Sequence, residues 1–205
     1  MQIHSSFPEH EMIADGWAWE PDPDCDRLLK ALQRQGDPGH VPFLELFADP
    51  EVIAAVLDEP AIPWDAQKTE REAVEKALDQ KIRFWHGLGY DAFWQGPSLA
   101  LPDTMPLASD DTASLAKDRR SWVDETKGII TNWEEFERYL WPRAEDADFH
   151  PMAYAAERLP DGMGLMVEIA GALEPVMALM GYETFALGLY EQPDLVQAMF
   201  DKIEE

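Results

Sequence analysis

The sequence is poor in cysteine and in basic residues. Its single cysteine, Cys25, leaves no internal disulfide framework and no zinc site built on several cysteines, and it predicts a reducing, cytoplasmic location. Lysine and arginine number 16 against 41 aspartates and glutamates, so the formal net charge is −25. A field of this sign repels nucleic acid and anionic lipid, and we expect neither as a partner.

Long apolar runs are also missing. No stretch reaches about 18 consecutive apolar residues, which disfavours a membrane-spanning helix. The chain still has material for a core, because 46% of its 205 residues are hydrophobic and 8 of them are tryptophan. We expect a globular chain with an irregular N-terminal arm over residues 1–26 and a folded body over residues 27–205.

Three short apolar runs are interpreted as buried strands, namely "VPFLELF" (41–47), "YDAFWQG" (90–96) and "GLMVEIAG" (164–171). Helical patterns alternate with them, which is typical of βαβ units and a parallel sheet. Long connections after the strands favour a (β/α)8 TIM barrel over a doubly wound sheet, and no G-x-G-x-x-G or P-loop pattern follows any strand. About three β/α units cannot close such a barrel. We therefore expect the N-terminal part of a barrel, truncated at its C-terminus, with a complete small α/β domain as the alternative.

Helix signals are clear between the strands. Asp49 and Pro50 have the types expected at a helix start, and Asn132 with Glu135 has capping-box spacing. The segment 69–89 carries an apolar stripe and is the strongest helix prediction. A long connection over 96–111 is rich in proline and is predicted to be a loop.

Four segments, taken in order, resemble the uroporphyrinogen decarboxylase superfamily: "HVPFLELFADPEV", "LGYDAFWQGPSLALP", "GIITNWEEFERYLWP" and "YEQPDLVQAMFDKI". The similarity runs from about Arg27 to the end. That superfamily contains decarboxylases of tetrapyrrole synthesis and related cobalamin- or coenzyme-M-dependent methyltransferases. The resemblance implies a (β/α) barrel with its site at the carboxyl ends of the strands.

The chain departs from the decarboxylases where they bind substrate. Their first strand leads into a loop with two arginines that hold substrate carboxylates, and the matching positions here are Phe47 and a position near Glu51. Gln95 stands where they have an aspartate that faces the pyrrole nitrogens. The resemblance therefore implies the same fold with a different ligand preference.

Single acids late in apolar strands are the main catalytic candidates. An ionised carboxylate buried without a partner costs several kcal/mol, roughly, so Glu45 and Glu168 either form a polar site or face outward and pair with Arg or Lys. No metal site is predicted, because the histidines lack ligand spacing. The catalytic candidates are Glu45, Asp49 and Glu168, and the substrate-binding candidates are Phe47, Trp94, Gln95 and Arg119.

Three functions stay open at this point. The first is a decarboxylase-like lyase acting on a tetrapyrrole or a smaller carboxylate, with no cofactor evident in the chain. The second is a methyltransferase that uses a corrinoid and zinc, with zinc ligands from a missing C-terminal half. The third is a non-catalytic half-barrel that forms a homo-oligomer through its open sheet edge and apolar face.

Overall fold

A computed structural model describes most of the chain. The described residues are 20–63, 70–99, 101, 106–110, 119–123, 128–167 and 171–205, and for 106–110 and 119–123 they are described by their backbone. The helices are α1 (Cys25–Gln33), α2 (Pro50–Leu57), α3 (Arg71–Gly87), α4 (Trp133–Arg138), α5 (His150–Arg158), α6 (Leu173–Met180), α7 (Tyr182–Glu191) and α8 (Pro193–Glu204). The strands are β1 (Ala92–Trp94), β2 (Pro106–Asp110), β3 (Arg119–Val123) and β4 (Gly164–Met166).

The chain divides into two compact units. The first contains Met1–Gln95 and Pro151–Val167, and the second contains Gly96–His150 and Glu168–Glu205. Each unit has its own hydrophobic core. The expected arm over residues 1–26 stays a prediction, because residues 1–19 lie outside the described part of the chain.

Local sequence features explain where three helices of the first unit begin and which face they bury. The side chain of Asp24 caps α1 by accepting a hydrogen bond from the backbone N–H of Arg27 at 3.2 Å. Helix α2 begins with Pro50 at its first position, where the missing N–H is harmless. Helix α3 buries the apolar stripe that predicted it, including Ile82 and Trp85.

Strands β1 and β4 pair in parallel beneath these helices. Phe93 lies opposite Leu165, and the backbone N–H of Gln95 donates to the carbonyl of Met166 at 3.0 Å just beyond the ladder. Phe93 is 1% exposed, so it anchors the core. The buried core residues around it are Ile53, Leu78, Ile82, Phe84, Trp85, Ala155 and Met163.

A glycine allows the start of α1 to approach β4 closely. A Cβ added to Gly164 would lie 2.1 Å from Sγ of Cys25, far inside contact distance. The backbone N–H of Cys25 also donates to the carbonyl of Gly162 at 2.9 Å. Cys25 is thus a packing residue, and burial raises the pKa of its thiol.

Side-chain hydrogen bonds cap the N-terminus of α4, the first helix of the second unit. The side chain of Asn132 accepts from the backbone N–H of Glu135 at 3.1 Å, as the capping-box spacing predicts. The Glu135 carboxylate reaches one residue further back than expected and accepts from both N–H and Oγ1 of Thr131, at 2.7 and 2.8 Å. The hydrogen bond from the Thr131 backbone is the main cause that lowers the pKa of Glu135.

Helices α6, α7 and α8 form the core of the second unit. The helical stretch over 172–192 is interrupted at Gly181, whose φ of 74° is open to glycine at little cost. The carbonyl of Leu179 accepts from the backbone N–H groups of Ile129 and Ile130 at 2.8 and 3.0 Å. The buried residues of this core are Ile130, Val176, Leu179, Met180, Leu195, Val196 and Met199.

The expected (β/α)8 barrel segment is wrong. Within the described residues the strands form two separate two-stranded sheets, β1 with β4 in parallel and β2 with β3 antiparallel. Three successive β/α units would need a third parallel strand, and the segment 41–47 that should supply it is irregular backbone. The described chain is instead rich in helices and poor in sheet.

The segment 41–47 fails as a strand for identifiable reasons. Pro42 has no N–H to donate to a ladder, and Phe43 and Phe47 are 51% and 67% exposed. The backbone of Phe43 is taken by a single residue: its N–H donates to the Asp91 carboxylate and its carbonyl accepts from the Asp91 N–H, both at 3.1 Å. An apolar run of this length cannot by itself distinguish a strand from an anchored loop.

The connection over 96–111 also differs from its prediction as a loop. Its last part forms β2, which pairs with β3 so that Pro106 lies opposite Val123 and Asp110 opposite Arg119. Whether such a segment forms a strand depends more on cross-strand pairing than on the local propensity of its residues. Antiparallel pairing of neighbours in sequence has no place in the expected succession of β/α units.

The length and hydropathy of the helices bear on whether one of them could cross a membrane. Among the helices of the described residues, none combines the length and the apolar character that crossing a bilayer requires.

Candidate functional site

A small cavity lies at the carboxyl end of β1 in the first unit. Its volume is about 50 Å³, and its apolar wall consists of Leu46, Ala48, Ile53, Trp85 and Phe93. The other lining residues are Phe47, Lys81, Trp94 and Gln95. A water molecule needs about 10–15 Å³ on this measure, so the cavity has room for a group of roughly three or four heavy atoms.

Lys81 places a charged group on the wall of this mostly apolar cavity. It lies on α3 between Ala77 and Trp85, each four residues away and both buried, so the helix directs it toward the core side. Its side chain is half-buried, and burial lowers the pKa of the amine from 10.5 to about 8. The cavity wall therefore carries an amine that is mostly protonated at neutral pH and that titrates just above it.

Gln95 and Trp94 supply the polar and aromatic groups beside this amine. Both are half-buried at the end of β1, and the bond from the Gln95 N–H to the carbonyl of Met166 fixes the backbone there. The side-chain amide of Gln95 carries two donors and an acceptor, which is the kind of group that orients a polar ligand. Trp94 offers a flat apolar surface and an indole N–H.

Aromatic packing holds the floor of the cavity in place. The ring of Trp85 contacts the rings of Phe84 and Tyr90 edge to face, with centroids 4.7 Å apart in both pairs. Tyr90 in turn packs against Phe43 at 5.9 Å. Such pairs prefer tilted and edge-on geometry, so this cluster resists rearrangement of the wall.

Three predicted binding residues line this one cavity. Phe47, Trp94 and Gln95 were proposed from different parts of the sequence, and the structure brings them together. Arg119 begins β3, and its side chain lies outside what the structure describes, as does all of Glu168. Their predicted roles stay predictions.

The other two predicted acids do not line the cavity. Glu45 is exposed on the irregular 41–47 segment, so its expected place on a buried strand is wrong. Its Oε1 accepts from the N–H of Leu46 at 3.2 Å, and its charge adds to burial in raising the pKa of Tyr90. Asp49 is the half-buried N-cap residue of α2, a position where the helix favours a negative charge.

Sequence reasoning missed Lys81, although the signal was present. Lys81 stands four residues after Ala77 and four before Trp85, inside the apolar stripe that predicts α3. A lysine at such a position must either reach solvent along its stem or accept burial of its amine. Only the packing of α3 against β1 decides between these outcomes.

A buried ion pair at the opposite, amino end of β1 was also missed. Asp91 is fully buried, and its Oδ1 accepts from Nη2 of Arg27 at 3.1 Å and from the N–H of Asp24 at 2.8 Å. Nη1 of Arg27 lies 2.9 Å from Nδ1 of His40, and its Nη2 donates to the carbonyl of Asp22 at 2.8 Å. This network joins α1 to the start of β1.

The Arg27–Asp91 network is structural in character. Its polar atoms are satisfied by one another and by backbone groups, apart from the buried Nε of Arg27. It has the composition of a buried charge cluster that fixes how elements meet, and its residues line neither the cavity at the end of β1 nor the larger cavity of the second unit.

A larger cavity in the second unit is less suited to a charged ligand. Its volume is about 440 Å³, and Trp141 and Ile203 form part of its wall. Its charged groups already have partners, since Arg143 donates to Asp146 at 2.7 Å and Lys202 pairs with Glu205. A ligand would have to compete with these internal ion pairs.

No metal centre is visible in the part of the chain that the structure describes. There, no group of three or more His, Cys, Asp or Glu side chains is placed to hold an ion. The corrinoid and zinc of the methyltransferase alternative stay predictions.

Comparison of the chain with protein-family models, with curated proteins and with solved structures found no match. The resemblance to the uroporphyrinogen decarboxylase superfamily therefore stays a prediction that depends on the four quoted segments. The cavity around Lys81 is the candidate binding site that the structure reveals. A half-buried cation beside an amide and two aromatic rings is suited to bind the carboxylate of a small organic acid.

Proposed function

We propose that the protein binds the carboxylate group of a small organic acid in the cavity around Lys81 and acts on it as a decarboxylase-like lyase. The observation that carries the proposal is the Lys81 amine on the wall of an apolar cavity at the end of β1. The resemblance to a superfamily of decarboxylases supports the reaction type.

Burial determines the electrostatic character of Lys81. Burial lowers the pKa of Lys81 to about 8, which means that the surroundings solvate its ammonium form poorly. A bound carboxylate would form a charge-assisted hydrogen bond with this ammonium group and favour its protonated form. Gln95 can donate a second hydrogen bond to the same carboxylate, and Trp94 and Phe47 can cover the carbon attached to it.

The size of the cavity favours a small acid over a tetrapyrrole. About 50 Å³ accommodates a carboxylate with one methylene group, and a macrocycle would have to remain outside it. The chain also lacks arginines at the two positions where the resemblance implies carboxylate contacts, since Phe47 and Glu51 stand there. A substrate with one or two carboxylates fits these features better than one with many.

The other two candidate functions have no such support. No observation in the described residues favours methyl transfer, and self-association was derived from an open half-barrel that the structure does not contain. Both stay predictions.

Calorimetric titration with acetate at several pH values tests the proposal. Above pH 8 the amine must take up a proton when the carboxylate binds, so affinity should fall about tenfold for each further pH unit. We expect dissociation constants in the millimolar range, as is usual for ligands with few heavy atoms.

Two variants sharpen this titration. Lys81→Met should abolish binding, and Lys76→Met should not change it, because Lys76 is an exposed lysine on the same helix that pairs with Glu72. Equal binding by the wild type and Lys81→Met, or an affinity that does not change with pH, would contradict the proposal.

A further inference from the structure

We propose that Asp91 is a positioning residue for the carboxylate site: its buried side chain fixes the segment 43–48, which forms one wall of the cavity around Lys81, and thereby sets the affinity for the ligand. This inference rests on the proposed function, because it assumes that the cavity binds a carboxylate. It adds a determinant of affinity that does not itself line the cavity.

Asp91 joins the two chain segments that form the cavity. The backbone N–H of Phe43 donates to its Oδ2, and its own backbone N–H donates to the carbonyl of Phe43, both at 3.1 Å. From this anchor each segment reaches the cavity after three residues, at Leu46 (43 to 46) and at Trp94 (91 to 94). A shift at the anchor therefore changes how the two walls stand relative to one another.

The Asp91 carboxylate is held in one orientation. Its Oδ1 accepts from Nη2 of Arg27 at 3.1 Å and from the N–H of Asp24 at 2.8 Å, which leaves Oδ2 for the N–H of Phe43. Asp91 is fully buried. Hydrogen bonds to an ionised group are stronger than neutral ones, and a low local dielectric strengthens them further. The start of α1 thus fixes where the carboxylate holds the segment.

The segment depends on this anchor because regular structure does not hold it. Residues 41–47 are irregular backbone, so ladder hydrogen bonds do not fix them. Leu46 and Phe47 are exposed as well as lining the cavity, so burial fixes their side chains only in part. The far end of the segment enters α2 at Pro50. Release of the Phe43 backbone would leave this wall fixed at one end.

Asp91→Asn tests the inference on the full chain, because asparagine keeps the shape of the side chain and replaces one oxygen with an NH2 group. The remaining oxygen can accept from Arg27 and Asp24, and the NH2 group then faces the N–H of Phe43, a donor against a donor. A hydrogen bond to a charged group changes an equilibrium constant by roughly tenfold or more. We therefore expect acetate affinity to fall about tenfold in calorimetric titration. The backbone amide at position 91, which donates to the Phe43 carbonyl, should exchange its hydrogen faster by NMR.

Two further variants separate positioning from stability. Asp24→Ala removes the side-chain cap of α1 and should lower stability, but it keeps the backbone N–H that Asp91 binds, so acetate affinity should not change. Glu45→Gly leaves the network around Asp91 intact and adds backbone freedom at an exposed position between anchor and wall, so acetate affinity should fall by a smaller factor. Circular dichroism checks that each variant is folded.

The outcomes separate this inference from the proposed function. If folded Asp91→Asn binds acetate as tightly as the wild type, the positioning role is wrong and carboxylate binding stands. If Asp24→Ala weakens binding as much as Asp91→Asn, affinity follows overall stability and the positioning role is also wrong. If Asp91→Asn does not fold, unchanged binding by Glu45→Gly decides against the role. If the wild type does not bind acetate, the proposed function is wrong and the role of Asp91 in affinity falls with it.

Discussion

Replacing Lys81 with methionine should stabilise the protein at neutral pH. The ordinary pKa of the amine is 10.5 and burial lowers it to about 8. At about 1.4 kcal/mol for each pKa unit, the free energy of the ammonium form is about 3 kcal/mol less favourable in the folded chain than in the unfolded chain. Methionine has a similar length and no charge, so Lys81→Met should recover much of this free energy, less a part because the lysine is only half-buried.

The sign of the pH dependence follows from the same two values. Below pH 8 both the folded and the unfolded chain bind the proton, and the disadvantage is present in full. Between pH 8 and 10.5 the folded amine releases its proton while the unfolded chain keeps it, so the stability of the wild type rises with pH in this window. The gap between the variant and the wild type should therefore close as the pH approaches 10.5.

Urea denaturation followed by tryptophan fluorescence measures this difference. Lys76→Met is the matched control, because Lys76 is 66% exposed on the same helix and its replacement should change the free energy of unfolding by less than about 0.5 kcal/mol. Other groups that titrate in this range are common to all three proteins and cancel in the comparison. The reasoning is refuted if Lys81→Met is less stable than the wild type at neutral pH, or if the gap does not change with pH.

Three further substitutions test contacts that stabilise the two units. Asp91→Ala leaves the buried Arg27 without its charge partner and should lower the free energy of unfolding by about 3–5 kcal/mol, and a loss below about 1 kcal/mol in urea denaturation would contradict this. Gly164→Ala should lower the melting temperature by forcing a methyl group against Sγ of Cys25, and Cys25→Ala should restore part of the loss in the double variant. Glu135→Gln should destabilise the protein by about 1–2 kcal/mol at neutral pH. Because the folded pKa of Glu135 is below its ordinary 4.5, this contribution is complete above that value and disappears as the pH falls, so the two unfolding curves should converge in acid.

Local signals predicted the helices well, because capping residues and apolar stripes act within a few neighbouring residues. Asn132 caps its helix with a side-chain hydrogen bond, and Pro50 starts another. The strands around Phe93 and Leu165 were found for a similar reason, since each is a short apolar run bounded by glycine or by polar residues.

Longer-range pairing could not be predicted in the same way. The run 41–47 has the composition of a strand, but a carboxylate 48 residues away, Asp91, holds its backbone as a loop. The pairing of β2 with β3 joins two segments of weak β character. Arranging these pieces into a barrel required assumptions about which strands meet, and those assumptions were wrong.

The candidate site was predictable in part. Phe47 and Gln95 were selected because they stand where the family resemblance implies substrate contacts, and Trp94 because it lies beside Gln95 at the end of a predicted strand. Lys81 was missed because its character depends on how deeply α3 packs, which the sequence does not give. The acids drew attention because they interrupt apolar runs, yet Glu45 lies in solvent, where a carboxylate needs no special partner.

The pKa of Lys81, measured by NMR with isotope-labelled lysine in the absence and presence of acetate, tests the central claim most directly. The chain has few lysines, and Lys81→Met identifies the resonance. The account predicts a pKa of about 8 in the free protein and a clear rise when acetate saturates the cavity. A pKa near 10.5 in the free protein, or one that acetate does not change, would contradict it.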